Sequence, residues 1–473
     1  MFRSHCGTVL GLTCLLLSAC QTFTPDGGMD VVASIAGSEL NKDVVALRTP
    51  EAEELAGARV TALLRRSLTA EAAVQIALLN NRGLQAAYNE LGIAEAVMVK
   101  ASLPPSPTIA FSALSTPVEL DIERRIIADI LALATLGARA EIARERFRQA
   151  QLRAAMETLR LGATVRRAYL RAVAARQLAD FLAEGVSAAE TAAELARRLA
   201  ESGSMTKLDQ SREQVFHAEM TAQLGAARQR AQSERERLVR AMGLSGSDLS
   251  FRLPDALPAL PLRLRSVPSI EAEAVRRRVD LQIGRIEVDA LAKSYGLTNA
   301  TRFIELADVS PVSRTQRESS GVHGTGGGGE VELRVPIFDF GEARLRQAGE
   351  AYMQAVNRLA ENAVNVRSQA RDAYRVYRAS YDIAKRYRDQ VLPLRKVISD
   401  EMALRYGAMQ VDVFSLLTEA RQRIAANIAA IEAQRDFWMA DVNLRAVLVG
   451  GDQAPADGEP RQAEGLSRDL ARE

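Results

Sequence analysis

Between Gly341 and Arg405 apolar residues recur at alternating steps of three and four, through Leu345, Tyr352, Leu359, Val366, Val376, Ile383, Leu394 and Val397. That spacing predicts a helix packed beside others over many turns. At 1.5 Å per residue it would be roughly 95 to 100 Å long. A second helix of similar length is predicted from Gly137 to about Glu201. Each long helix leads through a tight turn into a shorter one, Lys207 to Met242 in the first case and Val411 to Leu448 in the second. Two further helices precede this scheme. One starts with Thr69 as its cap and runs to about Ala101, where Pro104-Pro105-Ser106-Pro107 stops it. The other runs from Pro268 to about Leu297. Pro393 should kink the last long helix.

Two stretches change period from helical to alternating. Ile109, Phe111 and Ala113 alternate with smaller or polar residues, and after Thr116-Pro117 the positions Val118, Leu120, Ile122 and Ile126 alternate mostly with charge. This predicts a hairpin with one apolar face, although Ile126 to Leu136 reads equally as an early start of the following helix. The second stretch covers Phe303 to Val309 and Val331 to Ile337, with Val331, Leu333, Val335 and Ile337 on one face and Glu332 and Arg334 on the other. Gly324 to Gly329 satisfies a dinucleotide fingerprint, but it precedes a strand instead of joining strand to helix, so a flexible loop is expected.

The order helix, two strands, long helix, turn, short helix thus occurs twice, which predicts a duplicated unit. Laid end to end, the short helices pair into rods of about 99 and about 107 Å, against about 96 Å for one long helix. The expected divisions are a leader at 1–19, an arm at 20–67, a first repeat at 68–243, a connection at 244–267, a second repeat at 268–450 and a disordered tail at 451–473. The fold class is mainly α, with long coiled hairpins and four strands.

Composition narrows the function. The chain of 473 residues is 25% charged with a net charge of +2, so no single-sign field points to nucleic acid. Aromatic residues make up only 5%, and the alanine-rich helices favour close approach over bulky cores. His217 and His323 fall in different elements, and neither a catalytic triad nor a metal or cofactor site has support. Beyond residue 20 no run of about twenty apolar residues could form a helical span, which leaves a closed barrel as the route into lipid. A soluble sheet covering a helical core is the competing reading.

The leader carries Arg3 and His5, an apolar run from Val9 to Leu17, and Leu17-Ser18-Ala19-Cys20. That tetrapeptide resembles the bacterial lipobox, so Cys20 is expected to be acylated, with palmitate among the chains; an ordinary secretory signal is the alternative. Cys6 and Cys14 would leave with the leader, and Gln21 after the Cys favours sorting to the outer membrane.

The chain resembles the TolC family of outer-membrane efflux channels over residues 68 to about 450. The carrying residues are Leu68-Thr69-Ala70-Glu71 with Asn80-Asn81, the junction Val335-Pro336-Ile337-Phe338-Asp339-Phe340-Gly341, and Leu444 to Gly451. The resemblance implies a homotrimer whose twelve strands form a barrel in the outer-membrane lipid, with a helical tunnel in the periplasm. It also implies an adaptor protein and an inner-membrane pump as partners, and no enzyme activity. Adaptor-docking tips would be Gly203, Ser204, Met205 and Thr206 in one turn and Gly407, Ala408 and Met409 in the other. Asp209 matches the acidic residue that the family has after the first turn; after the second, a gapless alignment gives Ser415 and Thr418, and a shifted one Asp412. These four are the candidate gate. Two other readings are a periplasmic adaptor lipoprotein, which would have a single hairpin between β-rich domains, and a structural coiled coil, which would have no strands. The exported substrate is not written in the chain; the Tyr406–Ala420 segment resembles metal-efflux members more than drug-efflux ones.

Overall fold

The computed structural model describes residues 23–450 apart from 267, 319, 320 and 322. The leader, Cys20 and the tail at 451–473 lie outside the described residues. The described chain is mainly helical with one four-stranded sheet.

The arm holds two helices that period alone did not disclose, α1 (Met29–Leu40) and α2 (Pro50–Leu64). Capping chemistry explains α2: Thr49 accepts the Ala52 N–H at 3.3 Å, Pro50 sits at the first turn, and Glu51 and Glu53 face the positive end of the helix dipole. The helix expected from Thr69 to Ala101 is two, α3 (Ala70–Asn80) and α4 (Arg82–Ser102). Thr69 caps α3 as expected, accepting from Ala72 N–H at 3.1 Å. The break comes from the asparagine pair. Asn80 and Asn81 donate to the carbonyls of Gly243 and Ala241, and Asn81 accepts the Leu84 N–H that opens α4. Gly243 lies at φ +72, where a Cβ would come within 2.9 Å of the Asn80 carbonyl oxygen.

After α4 come β1 (Thr108–Ser115) and β2 (Glu119–Asp129), then a short α5 (Ile130–Ala134) and α6 (Leu136–Glu201). The open choice at Ile126 is thereby settled, with strand as far as Asp129 and helix beyond. At 66 residues, α6 is about 99 Å long. A turn leads to α7 (Lys207–Met242), and the connection carries one 3-10 turn at Gly246–Leu249. Next come α8 (Ile270–Arg277) and α9 (Val279–Thr301), broken at Arg278 as the earlier pair is at Asn81.

Strands β3 (Leu306–Glu318) and β4 (His323–Arg334) correct the expected boundaries. The Gly324–Gly329 run is not a loop; it forms the first half of β4, held by antiparallel pairing to residues of β3 from Pro311 to Gln316. Val335 and Ile337 are not strand residues but belong to the turn after β4, because the Ile337 N–H bonds the Val335 carbonyl at 2.9 Å and so leaves the ladder. At the end of this turn Phe340 and Gly341 both have positive φ, and a Cβ on Gly341 would collide with the Arg302 carbonyl.

The last hairpin runs through α10 (Glu342–Arg386), a π-helical turn at Tyr387–Val391, α11 (Leu392–Gly407) and α12 (Val413–Val449). Pro393 lacks an N–H, and its ring crowds the carbonyl four residues back, so the helix takes one wide turn before it. Within the single chain Val376, Ile383, Leu394 and Val397 of the seam read from the sequence are exposed, and Tyr377, Tyr381 and Ala384 are the residues buried.

The chain divides into two compact units. One comprises the described part of Met1–Val32, with Ala86–Ala154 and Asp280–Ala363, and contains the sheet. There Lys293 meets Glu141, Glu145 and Asp289 at 3.0–3.2 Å. The other comprises Ala33–Gln85, Ala155–Val279 and the described part of Val364–Glu473. Its core includes Phe437, fully buried, with ring centroids 5.1–5.6 Å from Tyr377, Tyr381 and Trp438. Around it the Tyr381 hydroxyl and the Trp438 indole N–H donate to the Pro261 and Pro258 carbonyls, both at 2.9 Å, which pins the connection to α10 and α12. Among the described residues no helix is long and apolar enough to cross a membrane.

Candidate functional site

Two regions hold the residues singled out in the sequence. The first is the sheet, antiparallel throughout in the order β1-β2-β3-β4. Residues paired across an antiparallel ladder share a face, so the register assigns each side chain to one of two surfaces. Ile109 pairs with Ile126, Ala113 with Ile122, and Val309 with Val331, and Phe111 and Leu333 lie on this same face. Ile109, Phe111, Ile126, Val331 and Leu333 are all exposed. A row of large apolar side chains in water is costly, so this face calls for an apolar partner.

The opposite face carries every carboxylate of the paired residues: Glu119, Asp121, Glu123 and Asp129 in β2, Asp308 and Glu318 in β3, and Glu330 and Glu332 in β4. Three arginines accompany them. Arg314 binds Asp121 through Nε at 2.7 Å, Arg125 reaches Glu123 at 2.9 Å and Glu330 at 3.2 Å, and Arg334 lies at the end of β4. Asp129, Asp308 and Glu332 are cross-strand neighbours in one row. Just past the strands Val335, Ile337, Phe338 and Phe340 are also exposed, Phe338 almost completely so. Val335 and Ile337 therefore keep apolar exposure without strand geometry.

The second region is the pair of helix turns. At the first, Ser204 and Met205 N–H both bond the Leu199 carbonyl, and Gly203 takes φ +75. Thr206 caps α7, accepting from Asp209 N–H at 3.2 Å while its hydroxyl donates to the Asp209 carboxylate at 2.7 Å. Asp209 also meets Arg212 at 3.0 Å. At the second turn Gly407 ends α11, Ala408 N–H bonds the Leu404 carbonyl, and Met409 adopts φ +60 with its side chain 95% exposed. Asp412 caps α12 by accepting from Ser415 N–H at 2.7 Å, and that backbone bond is the chief reason its carboxyl sits below the usual aspartate range. Thr418 is half-buried one turn on.

The two turns lie side by side, since the Arg212 guanidinium stands 5.7 Å from the Phe414 ring centroid. Just behind them is a charged cluster that the sequence did not reveal. Glu213 of α7 is buried and bound by Arg421 of α12 at 2.6 Å, and Arg421 also stacks 4.4 Å over Phe216. Glu419 of α12, likewise buried, meets Arg395 of α11 at 3.0 Å. These partners are distant in the chain, and each alone looks like one more charge on an amphipathic helix, so no sequence signal marked them. Among the described residues no cluster of His, Cys, Asp and Glu could hold a metal ion.

Comparison with solved structures identifies this architecture. A membrane protein from Pseudomonas aeruginosa superposes with TM-score 0.68 at 18% identity, covering 82% of this chain and 93% of its own. The CmeC outer-membrane channel of Campylobacter jejuni gives 0.67 at 15% identity, covering 85% and 88%. The fold is that of the outer-membrane channels. The open state of the MtrE outer-membrane channel of Neisseria gonorrhoeae agrees, with TM-score 0.65 at 16% identity over 80% of this chain and 88% of that one. No protein-family model matches the chain, and neither does any curated protein sequence. The likeness lies in the order and lengths of the elements.

Proposed function

We propose that this protein is a trimeric exit duct of the outer membrane, passively conducting small substrates from periplasm to exterior, and that it performs no catalysis. The observation that carries the proposal is the two-faced sheet: exposed isoleucine, valine, leucine and phenylalanine on one surface and all the carboxylates on the other. A transmembrane barrel needs that division, with apolar residues toward lipid and polar residues toward the lumen. Four strands cannot close on themselves without leaving edges, and β1 and β4 each have a free edge within one chain. Three copies related by cyclic symmetry would close a twelve-stranded barrel. A second observation supports the trimer. Val364, Val376, Ile383, Leu394 and Val397 recur at three- to twelve-residue steps on one long hairpin and are exposed in the single chain, as a helix face awaiting another copy would be.

In this reading the duplicated unit, 68–243 and 268–450, supplies two hairpins per subunit, with 244–267 as the belt between them. Cys20 would tether the arm to the periplasmic leaflet. The turns at Gly203–Thr206 and Gly407–Met409 are the docking tips for an adaptor hairpin and its inner-membrane pump, and Asp209, Asp412, Ser415 and Thr418 are the gate candidates. Both carboxylates are engaged in capping, so any role in gating would act through the geometry of the helix starts.

Cysteine accessibility tests the two faces directly. In intact outer membranes, Glu332→Cys should react with a charged maleimide admitted through the duct, whereas Val331→Cys, one residue away, should resist it. Equal labelling at both positions would place the apolar face in water and remove the barrel.

A further inference from the structure

The apolar face of the sheet is not uniform along its height. Its half nearest the helices carries Ile109, Phe111, Ile126, Val309, Val331 and Leu333, whereas its half nearest the strand turns keeps Leu120 and Ile122 among small and polar residues and two arginines, Arg124 and Arg317. Arg124 pairs across the ladder with Phe111 and Ser313 and is flanked on its own strand and face by Ile126 and Ile122. Arg317 lies four residues nearer the turn, paired with Leu120 on one side and His323 on the other. Both arginines are exposed. No carboxylate among the paired residues shares their face, because all are on the opposite surface. The one polar contact shown for Arg124 is to the Thr315 hydroxyl at 3.4 Å. The arginines of the other face, by contrast, are engaged: Arg314 with Asp121, and Arg125 with Glu123 and Glu330.

An arginine facing lipid without a counter-ion destabilises a barrel by about 2–4 kcal/mol at the bilayer midplane and by roughly 0–1 near the interface. Two such residues placed where the apolar side chains thin out mark the headgroup level. The turn at 116–118 lies at the end of the sheet away from the helices, so in the exit-duct reading, on which this inference rests, that level belongs to the outer leaflet. We infer that Arg124 and Arg317, with the Thr315 hydroxyl and His323, form an external binding strip for the phosphate groups of the outer leaflet's phosphorylated glycolipid. Guanidinium forks suit phosphate oxygens in two-point contact, and the hydroxyl and imidazole beside them add further donors. The four residues between the arginines correspond to about 13 Å along the strand, so each can meet its own phosphate.

The test uses the full acylated chain purified as a trimer, with purified bis-phosphorylated lipid A, its dephosphorylated form and inorganic phosphate as probes in native mass spectrometry. The wild-type trimer should retain the bis-phosphorylated lipid in preference to the dephosphorylated one, and the double variant Arg124→Gln/Arg317→Gln should retain it on the order of tenfold less. Gln316→Ala, on the opposite face, should leave retention unchanged. Equal retention by wild type and double variant in intact trimers, or no preference for the phosphorylated lipid, overturns this inference alone. Occupation by inorganic phosphate in place of the lipid overturns the assignment of the ligand. Failure of the wild type to form trimers overturns the exit-duct reading together with it.

Discussion

Glu213, at 2% side-chain exposure, is met at 2.6 Å by Arg421, which is itself packed over Phe216. Removing one partner of such a pair leaves an uncompensated buried charge, a loss of about 3–5 kcal/mol. Arg421→Met should therefore open the ends of α7 and α12, read as lost amide protection in hydrogen exchange, and Glu213→Gln/Arg421→Met should restore most of it. Unchanged protection in the single variant would mean that the pair does not hold the two hairpins together. Asp412 gives the residue scale its pH dependence. Its carboxyl is held below its ordinary value of 3.8, chiefly by the Ser415 N–H, so the cap stabilises α12 fully above that value and is lost as pH falls through the depressed one. Protection factors for amides 413–418 should be flat from neutral pH to about pH 5 and decline in stronger acid. Asp412→Asn caps without titrating and should abolish the decline; if the decline persists in that variant, another group causes it.

Pro393 and Gly341 decide the path of the last hairpin at the scale of elements. Replacing Pro393 with Ala restores the N–H and removes the ring, so the wide turn at Tyr387–Val391 should revert to α-helix and change the hairpin's path. A crystal structure of that variant with the wide turn intact would locate its cause elsewhere. Gly341→Ala places a side chain at φ +74 against the Arg302 carbonyl. The left-handed conformation alone costs about 1–2 kcal/mol, and the clash adds to it. The strand-to-helix junction should be disrupted, with less folded protein recovered from membranes; normal recovery would show that the junction relaxes freely. These elements also show what could be read from the sequence. The long helices, the turn at Ser202–Thr206 and the strand β1 were legible because period, caps and prolines are local signals. The breaks at Asn81 and Arg278 were not, since they follow from distant partners: Ala241 for Asn81, and Gln369, whose side chain accepts from Arg278. The glycine run in β4 was misread as a loop because glycine has no strand preference of its own; pairing with β3 overrides that. Glu213, Arg421, Glu419 and Arg395 were missed for the same reason as the breaks.

In the whole molecule the polar face of the sheet would set the character of the proposed conducting path. Eight carboxylates stand on it against Arg125, Arg314 and Arg334, and three copies would line one lumen with them. Such a lining attracts cations and repels anions. Reversal potentials in a salt gradient should show cation preference, reduced in Glu330→Gln/Glu332→Gln; anion preference in the wild type would place the carboxylates outside the path. The central claim, however, is closure by three copies around water. The most direct test is to purify the full chain from outer membranes, count its subunits by native mass spectrometry, and record the same preparation in a planar bilayer. The account predicts a trimer that conducts ions in discrete, uniform steps; a monomer that leaves the bilayer silent would contradict it.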